Sequence, residues 1–125
     1  MILPNPVITL TTDFGLTDPY VGVMKGVIFG INPEARIVDL SHSIEPHGIT
    51  QAAFLLANSF LHFPSGTIHL IVVDPGVGSN RMAILVEMDG HYFVAPDNGV
   101  LSYVLNHSSG PNGDLASNSE PITRD

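Results

Sequence analysis

The chain has 125 residues, of which 44% are hydrophobic and only 13% are charged, so it can form one domain with a buried core. Twelve acidic against four basic residues give a formal net charge of −8, which disfavours nucleic-acid binding because phosphate contacts need a basic surface. It has no cysteine, no signal-like start and no apolar run near the roughly 20 residues of a membrane span, which predicts a cytoplasmic protein without membrane contact.

The first predicted element is a buried strand at Val7–Thr12, a β-branched run that stops at Asp13-Phe14-Gly15. A helix is predicted to begin at Asp18-Pro19, with Asp18 as its cap, and to end at Asn32-Pro33 because proline disfavours helix in the residue before it. Helical spacing predicts one apolar face on this helix, made of Tyr20, Met24, Val27, Ile28 and Ile31.

Strand and helix then alternate along the chain. Residues 36–40 and 67–73 are predicted strands, and residues 49–60 between them are predicted to form an amphipathic helix. Residues 83–88 and 91–95 follow as two strands of a hairpin around the turn-forming pair Asp89-Gly90.

This alternation predicts an α/β fold with three α/β/α layers and a mostly parallel mixed sheet, to which the hairpin adds an antiparallel part. Residues 100–105 suggest a short last helix, so the domain is predicted to span residues 1–105. Residues 106–125 contain few apolar side chains and many Ser, Asn, Gly and Pro, which predicts a polar linker or a disordered tail.

Polar segments follow three of the predicted strands, at residues 12–15, 41–43 and 74–79. Ligands of parallel α/β sheets bind beyond the carboxyl ends of the strands, so these segments indicate one site. Asp13 could accept hydrogen bonds from a ribose diol, or it could be a turn or capping residue. Asp74 with Arg81 could form a pair that orients a water molecule, or a structural salt bridge that fixes the loop.

The sequence indicates a function less strongly for the other candidate residues. No phosphate-loop pattern occurs, and the six histidines lack the spacing of a zinc motif, so no metal site is predicted. Among the histidines, His42 and His47 lie in a strand-end loop and could approach a ligand, whereas the others are more simply packing or surface residues. Asn98 lies in a predicted turn after the hairpin and could offer its amide to a ligand.

Three segments together resemble one family: TTDFGLTDPYVGVMKG at 11–26, VVDPGVGSNR at 72–81 and APDNGVLS at 95–102. They are similar to the S-adenosyl-L-methionine (SAM) hydroxide adenosyltransferases, which share a fold with the SAM-dependent fluorinases and chlorinases. The resemblance implies an N-terminal α/β domain, followed in full-length members by a smaller β-rich domain. It also implies homotrimers, with each active site between the two domains of neighbouring subunits.

The activity that the resemblance implies is hydrolysis of SAM to adenosine and methionine, by attack of water or hydroxide on the ribose C5′ carbon. SAM is the substrate, and no cofactor is implied. By position, Asp13 would hold the ribose hydroxyls, Asp18 and Tyr20 would contact the substrate near its methionine end, and His47 would lie where halogenating relatives place an aromatic ring.

Asp74 and Arg81 match two members of the water-activating triad of the hydrolases. The third is a histidine in a motif like TFHGRD, which would lie beyond residue 125, so we expect little or no hydrolysis from these 125 residues alone. One alternative is a non-catalytic adenosyl-binding or vestigial domain. A SAM-dependent halogenase is less favoured, because the Asp74 carboxylate would repel a halide.

Overall fold

The computed structural model describes residues 5–74, 82–109 and 121–124. The strands are β1 (Val7–Thr12), β2 (Arg36–Ser41), β3 (Ile68–Val72), β4 (Ala83–Met88), β5 (His91–Pro96) and β6 (Pro121–Arg124). The helices are α1 (Tyr20–Ile31), α2 (Ile49–Ala57) and α3 (Ser102–Ser109), with a 3₁₀ turn at Phe60–His62. None of the helices in the described ranges is long and apolar enough to cross a membrane.

The strands form one mixed sheet in the order β2-β1-β3-β5-β4-β6. The first four strands in that order are parallel to one another, and β4 pairs antiparallel with both β5 and β6. The β4–β5 hairpin turns at Asp89 and Gly90, whose φ angles of 52° and 81° are those of a two-residue type I′ turn. The predicted α/β class with a mostly parallel sheet and an added hairpin is confirmed.

The helices cover the sheet unequally. Because β2 and β3 lie on opposite sides of β1, right-handed crossovers place α1 on one face of the sheet and α2 on the other. The continuous core lies on the face covered by α2 and α3. Its largest buried side chains are Phe60, Phe93, Leu56, Ile71 and Met88.

Helix α1 differs from its prediction at its start and on its apolar face. It begins at Tyr20 with Pro19 in the capping position and no side-chain cap, so the prediction that Asp18 caps the helix is wrong. Only Val21 is buried and Met24 and Ile28 are half-buried. The other residues of the predicted apolar face are exposed, namely Tyr20, Val27 and Ile31. The predicted end at Asn32 is confirmed.

Two further predictions need correction. The helix predicted for residues 49–60 ends at Ala57, where Asn58 takes the capping position, and Phe60 reaches the core from the 3₁₀ turn that follows. Within the predicted tail, α3 continues to Ser109 and residues 121–124 pair with β4, so these parts are not without structure. Residues 110–120 and 125 lie outside the described residues, and the domain boundary at residue 105 stays a prediction.

Candidate functional site

Four neighbouring parallel strands, β2, β1, β3 and β5, end at the same edge of the sheet. In the register between β1 and β3, Thr12 pairs with Val72, so Asp13 directly follows one strand end and Asp74 lies two residues beyond the adjacent one. The loop after β2 carries His42, and the loop after β5 carries Asn98. The sheet therefore brings together the described residues Asp13, His42 and Asp74 of the three strand-end segments that the sequence indicated as one site.

Asp13 begins a tight turn that is fixed by backbone hydrogen bonds. Its N–H donates to the carbonyl of Val72 on β3 at 3.4 Å, and the N–H of Gly15 donates to the carbonyl of His42 at 2.8 Å. Gly15 has a φ of 71°, a left-handed conformation that favours glycine. Asp13 itself is half-buried, so its carboxylate is held at the rim of the sheet with access to a ligand.

Asp74 is only 8% exposed and lies at the end of β3. It borders a cleft of about 220 Å³ whose other walls are mostly apolar side chains of β3, β4 and β5, among them Leu70, Val94 and Pro96. Such a cleft with one carboxylate in its wall can hold an apolar portion of a ligand against a charged group. Arg81, the predicted partner of Asp74, lies outside the described residues, so the pair stays a prediction.

Asn98 connects the loop after β5 with the end of β3. Its side-chain amide donates to the carbonyl of Val73 at 2.9 Å, and its side-chain oxygen accepts from the N–H of Val100 at 3.1 Å. These bonds hold the loop after β5 against the end of β3, next to Asp74. An amide nitrogen carries two hydrogens, so this structural role is compatible with a ligand contact.

The other predicted substrate-binding residues lie on the exposed rim. Asp18 and Tyr20 are exposed, and the Tyr20 ring packs against Phe14 of the Asp13 turn, with 5.8 Å between ring centroids. His47 is exposed and has a φ of 64°. Within the described ranges, no hydrogen bond or ring contact joins His47 to the Asp13 turn, so its role as a stacking residue is left as a prediction.

A hydrogen-bonded chain of side chains, which the sequence did not reveal, lies behind the Asp13 turn. The His42 ring is within 2.7 Å of Thr12 through Nδ1 and of Asp39 through Nε2. Asp39 also accepts from the Lys25 ammonium group at 2.8 Å. Burial raises the pKa of Asp39, but the hydrogen bonds and charges of Lys25 and His42 outweigh it and hold this pKa below its ordinary value.

His69 and His91 were predicted to be packing or surface residues, and the structure shows that they are packing residues. Both are buried in the core, where His69 Nδ1 is 2.7 Å from the Thr9 hydroxyl and the two rings are joined by a 3.1 Å contact. Phe60 packs edge-on against both rings, and His69 stacks on Phe93 at 4.9 Å. In the part of the chain that the structure describes, no three acidic or histidine side chains are grouped so that they could hold a metal ion.

The sequence model described as the SAM hydroxide adenosyltransferase N-terminal domain matches residues 8–120. An (R)-S-adenosyl-L-methionine hydrolase of Methanocaldococcus jannaschii is 47% identical over 103 residues, which cover 78% of this chain and 39% of that protein. A fluorinase of Actinopolyspora mzabensis is 27% identical over 124 residues, covering 81% and 42%.

Among solved structures, an uncharacterized conserved protein from Thermotoga maritima is similar with a TM-score of 0.78 and 47% sequence identity, covering 81% of this chain and 39% of that one. The chain thus spans about two fifths of the length of the relatives it matches.

Proposed function

Since the chain belongs to the SAM hydroxide adenosyltransferase family, as an N-terminal domain of it, we propose that it supplies the strand-end half of a site that hydrolyses SAM to adenosine and methionine. The observation that carries the proposal is the placement of Asp13, Asp74 and Asn98 on adjacent strand ends around one edge of the sheet. The similarity to a named SAM hydrolase, which exceeds that to a fluorinase, supports the choice of reaction.

In this proposal the ribose is anchored by Asp13. A carboxylate accepts two hydrogen bonds from a vicinal diol without donating any, and the turn that bears Asp13 is already fixed at two points. Asp18 and Tyr20 line the exposed rim next to the turn and contact the methionine end of the substrate. Asn98 contributes its remaining amide hydrogen, and His47 borders the ligand from the loop before α2.

The chemical step needs little activation of the leaving group, because a sulfonium departs readily as a neutral thioether. Asp74, paired with Arg81, holds a water molecule in line with the C5′–S bond and accepts its proton as the new C–O bond forms. A carboxylate at this position repels halide ions, which favours water over fluoride or chloride as the nucleophile. SAM is the substrate in this scheme, which invokes no further cofactor.

We further propose that the protein assembles into a homotrimer. Helix α1 exposes an apolar stripe of Tyr20, Val23, Val27 and Ile31, the last of them 82% exposed. Exposed apolar stripes of this kind are typical of surfaces that associate. Sedimentation of the protein over a range of concentrations is expected to show association that Val27→Lys weakens. A monomer at every concentration would contradict this part of the proposal.

The ribose anchor is tested by titrating adenosine and SAM into the protein by calorimetry and analysing the same samples for adenosine and methionine by chromatography. We expect Asp13→Asn to weaken adenosine binding by about tenfold or more, because a charge-assisted hydrogen bond contributes about 1.5–3 kcal/mol. Asp97→Asn is the matched control, an exposed carboxylate on the loop after β5. Equal loss in both variants, or none in Asp13→Asn, would contradict the anchor.

The alternative of a non-catalytic adenosyl-binding domain predicts the same binding without product, in any assembly that contains these residues. A halogenase predicts a 5′-halo-adenosine when chloride or fluoride is added. Chromatography distinguishes the three outcomes when it is applied to an assembly in which these residues are joined by the second domain of the family, and accumulation of a halogenated product there would overturn the assignment of water as the nucleophile.

A further inference from the structure

The Asp13 turn is attached to His42 at two separate points. Through its backbone, His42 accepts a hydrogen bond from the N–H of Gly15 at 2.8 Å. Through its ring, it contacts the Thr12 hydroxyl at 2.7 Å, and that hydroxyl in turn accepts from the N–H of Phe14 at 3.2 Å. His42 is only 5% exposed, and its contacts bracket Asp13 on both sides along the chain.

The polarity of this chain of hydrogen bonds follows from its outer end. The Asp39 carboxylate can only accept, so the Nε2 of His42, 2.7 Å away, must donate to it. In a neutral imidazole the other nitrogen, Nδ1, is then an acceptor, and the Thr12 hydroxyl donates to it. The lone pairs of the Thr12 oxygen then remain to accept from the N–H of Phe14. Each hydrogen bond of the chain thus joins one donor to one acceptor.

Asp39 is anchored from a second direction. Lys25 of α1 donates to its other carboxylate oxygen at 2.8 Å, which fixes the carboxylate between the helix and the histidine. The order Lys25–Asp39–His42–Thr12 therefore connects α1 with the turn that bears Asp13. Lys25 and Asp39 are partly exposed, whereas the His42 ring and Thr12 are buried, so the inner half of the chain is the rigid part.

We propose that His42 is a positioning residue for nucleoside binding: its ring, acting through Thr12, holds the Asp13 turn in the geometry that accepts both ribose hydroxyls. The inference rests on the proposed function, since it takes Asp13 as the ribose anchor. A carboxylate that must meet two hydroxyls at once loses affinity when its backbone is free to move, because the ordering cost is then paid on binding. His42 need not touch the ligand for this effect.

Variants at Thr12 separate this role from general stability. Thr12→Val removes the hydroxyl while keeping the side-chain shape, and Thr12→Ser keeps the hydroxyl. Adenosine and 2′,3′-dideoxyadenosine are titrated into each variant, with urea denaturation of the same preparations as a folding control. We expect Thr12→Val to bind adenosine about tenfold more weakly and the dideoxynucleoside unchanged, and Thr12→Ser to behave like the original protein.

Variants at His42 test which ring nitrogen matters. The side-chain oxygen of Asn reaches roughly the place of Nδ1, whereas the amide nitrogen of Gln reaches roughly that of Nε2. His42→Asn can thus still accept from Thr12, and His42→Gln can still donate to Asp39. We expect His42→Asn to retain most of the preference for adenosine over its dideoxy analogue and His42→Gln to lose about tenfold of it.

The outcomes distinguish this inference from the proposal on which it rests. If Asp13→Asn weakens adenosine binding but Thr12→Val and His42→Gln leave the preference for adenosine unchanged, the positioning role is overturned and the ribose anchor stands. If all variants lose adenosine and dideoxyadenosine equally, the chain of hydrogen bonds serves folding alone and the inference is overturned. If the original protein shows no preference for the ribose diol, both the anchor and the inference are wrong.

Discussion

The buried histidines of this protein fall into two groups with opposite surroundings. His42 lies at the end of β2 with a carboxylate on one ring nitrogen and a hydroxyl on the other. His69 and His91 lie on the middle strands of the sheet, packed among the rings of Phe60 and Phe93. All three are at most 5% exposed, so exposure alone does not separate them.

In the core pair, burial disfavours the charged form of both rings. Burial, reinforced by the positive charge of His91, lowers the pKa of His69 to about 3. Burial also lowers the pKa of His91, although the nearby Asp89 carboxylate opposes the shift. His42 instead shares a carboxylate with Lys25 at the strand-end edge. Burial alone therefore does not distinguish a histidine of the core from one at the carboxyl ends of the strands.

The largest effect is expected from removing the core histidine. His69→Ala opens a cavity beside Phe93 and leaves the Thr9 hydroxyl without its partner, which we expect to lower the free energy of unfolding by about 3 kcal/mol. Urea denaturation measures it. His62→Ala, which changes an exposed side chain of the 3₁₀ turn, is the control and should stay within about 0.5 kcal/mol. Equal effects in the two variants would show that His69 does not belong to the packed core.

The pH dependence of stability should separate the two groups next. Since the pKa of His69 is about 3 in the folded protein and 6.5 is its ordinary value, protons bind preferentially to the unfolded chain between these values. The contribution of His69 to the free energy of unfolding is complete above pH 6.5. It is lost as the pH falls, by up to about 1.4 kcal/mol per pH unit. His69→Gln should flatten this decline, as measured by urea denaturation from about pH 7 to about pH 5.

The decline should persist in part in His69→Gln, because the lowered pKa of His91 acts in the same direction. An identical pH profile in His69→Gln and the original protein would contradict the assignment of a neutral His69 in the core.

Two threonines on β1 allow a matched comparison in which the expected losses of stability are smaller. Thr9→Val removes the partner of His69 and Thr12→Val removes that of His42. We expect a loss of about 2 kcal/mol for Thr9→Val, because the unpaired ring nitrogen is then enclosed in the core, and of about 1 kcal/mol for Thr12→Val at the sheet edge. The midpoints of urea denaturation give the order, and a reversed order would contradict the contrast between the two groups.

The smallest effect is expected at the exposed end of the His42 chain. Lys25→Gln removes an ion pair whose two side chains are 32% and 42% exposed, so its contribution to stability is at most about 0.5 kcal/mol. Thermal denaturation at low and high salt measures it, and the difference from the original protein should vanish at high salt. A large loss that is insensitive to salt would mean that the Lys25–Asp39 pair supports the core.

The sequence predicted the elements well where the pattern was local. The strand at Val7–Thr12 and the turn at Asp89-Gly90 depend on β-branched runs and on residues that accept positive φ, both of which are recognisable in a short window. The placement of Asp13 and Asp74 at one edge followed from the general rule for parallel sheets.

The features that the sequence did not predict correctly share a different cause. Apolar residues occur on nearly every side of α1, so periodicity could not decide that Val21 faces the sheet while Tyr20 and Val27 face outward. The contact between Thr12 and His42 joins residues 30 positions apart, next to a register shift between β1 and β2, and no spacing rule predicts it. Such contacts depend on the register and side-chain rotamers of the folded sheet.

The β4–β5 hairpin bears on the order in which the chain folds. Its pairing closes over the two residues of a type I′ turn, whereas β1, β2 and β3 pair only after crossovers that contain whole helices. Short loops close faster than long ones, so the hairpin is expected to form early and to give β3 an edge on which to assemble. Asp89→Val, which places a β-branched residue at a φ of 52°, should therefore slow refolding more than it speeds unfolding in stopped-flow experiments.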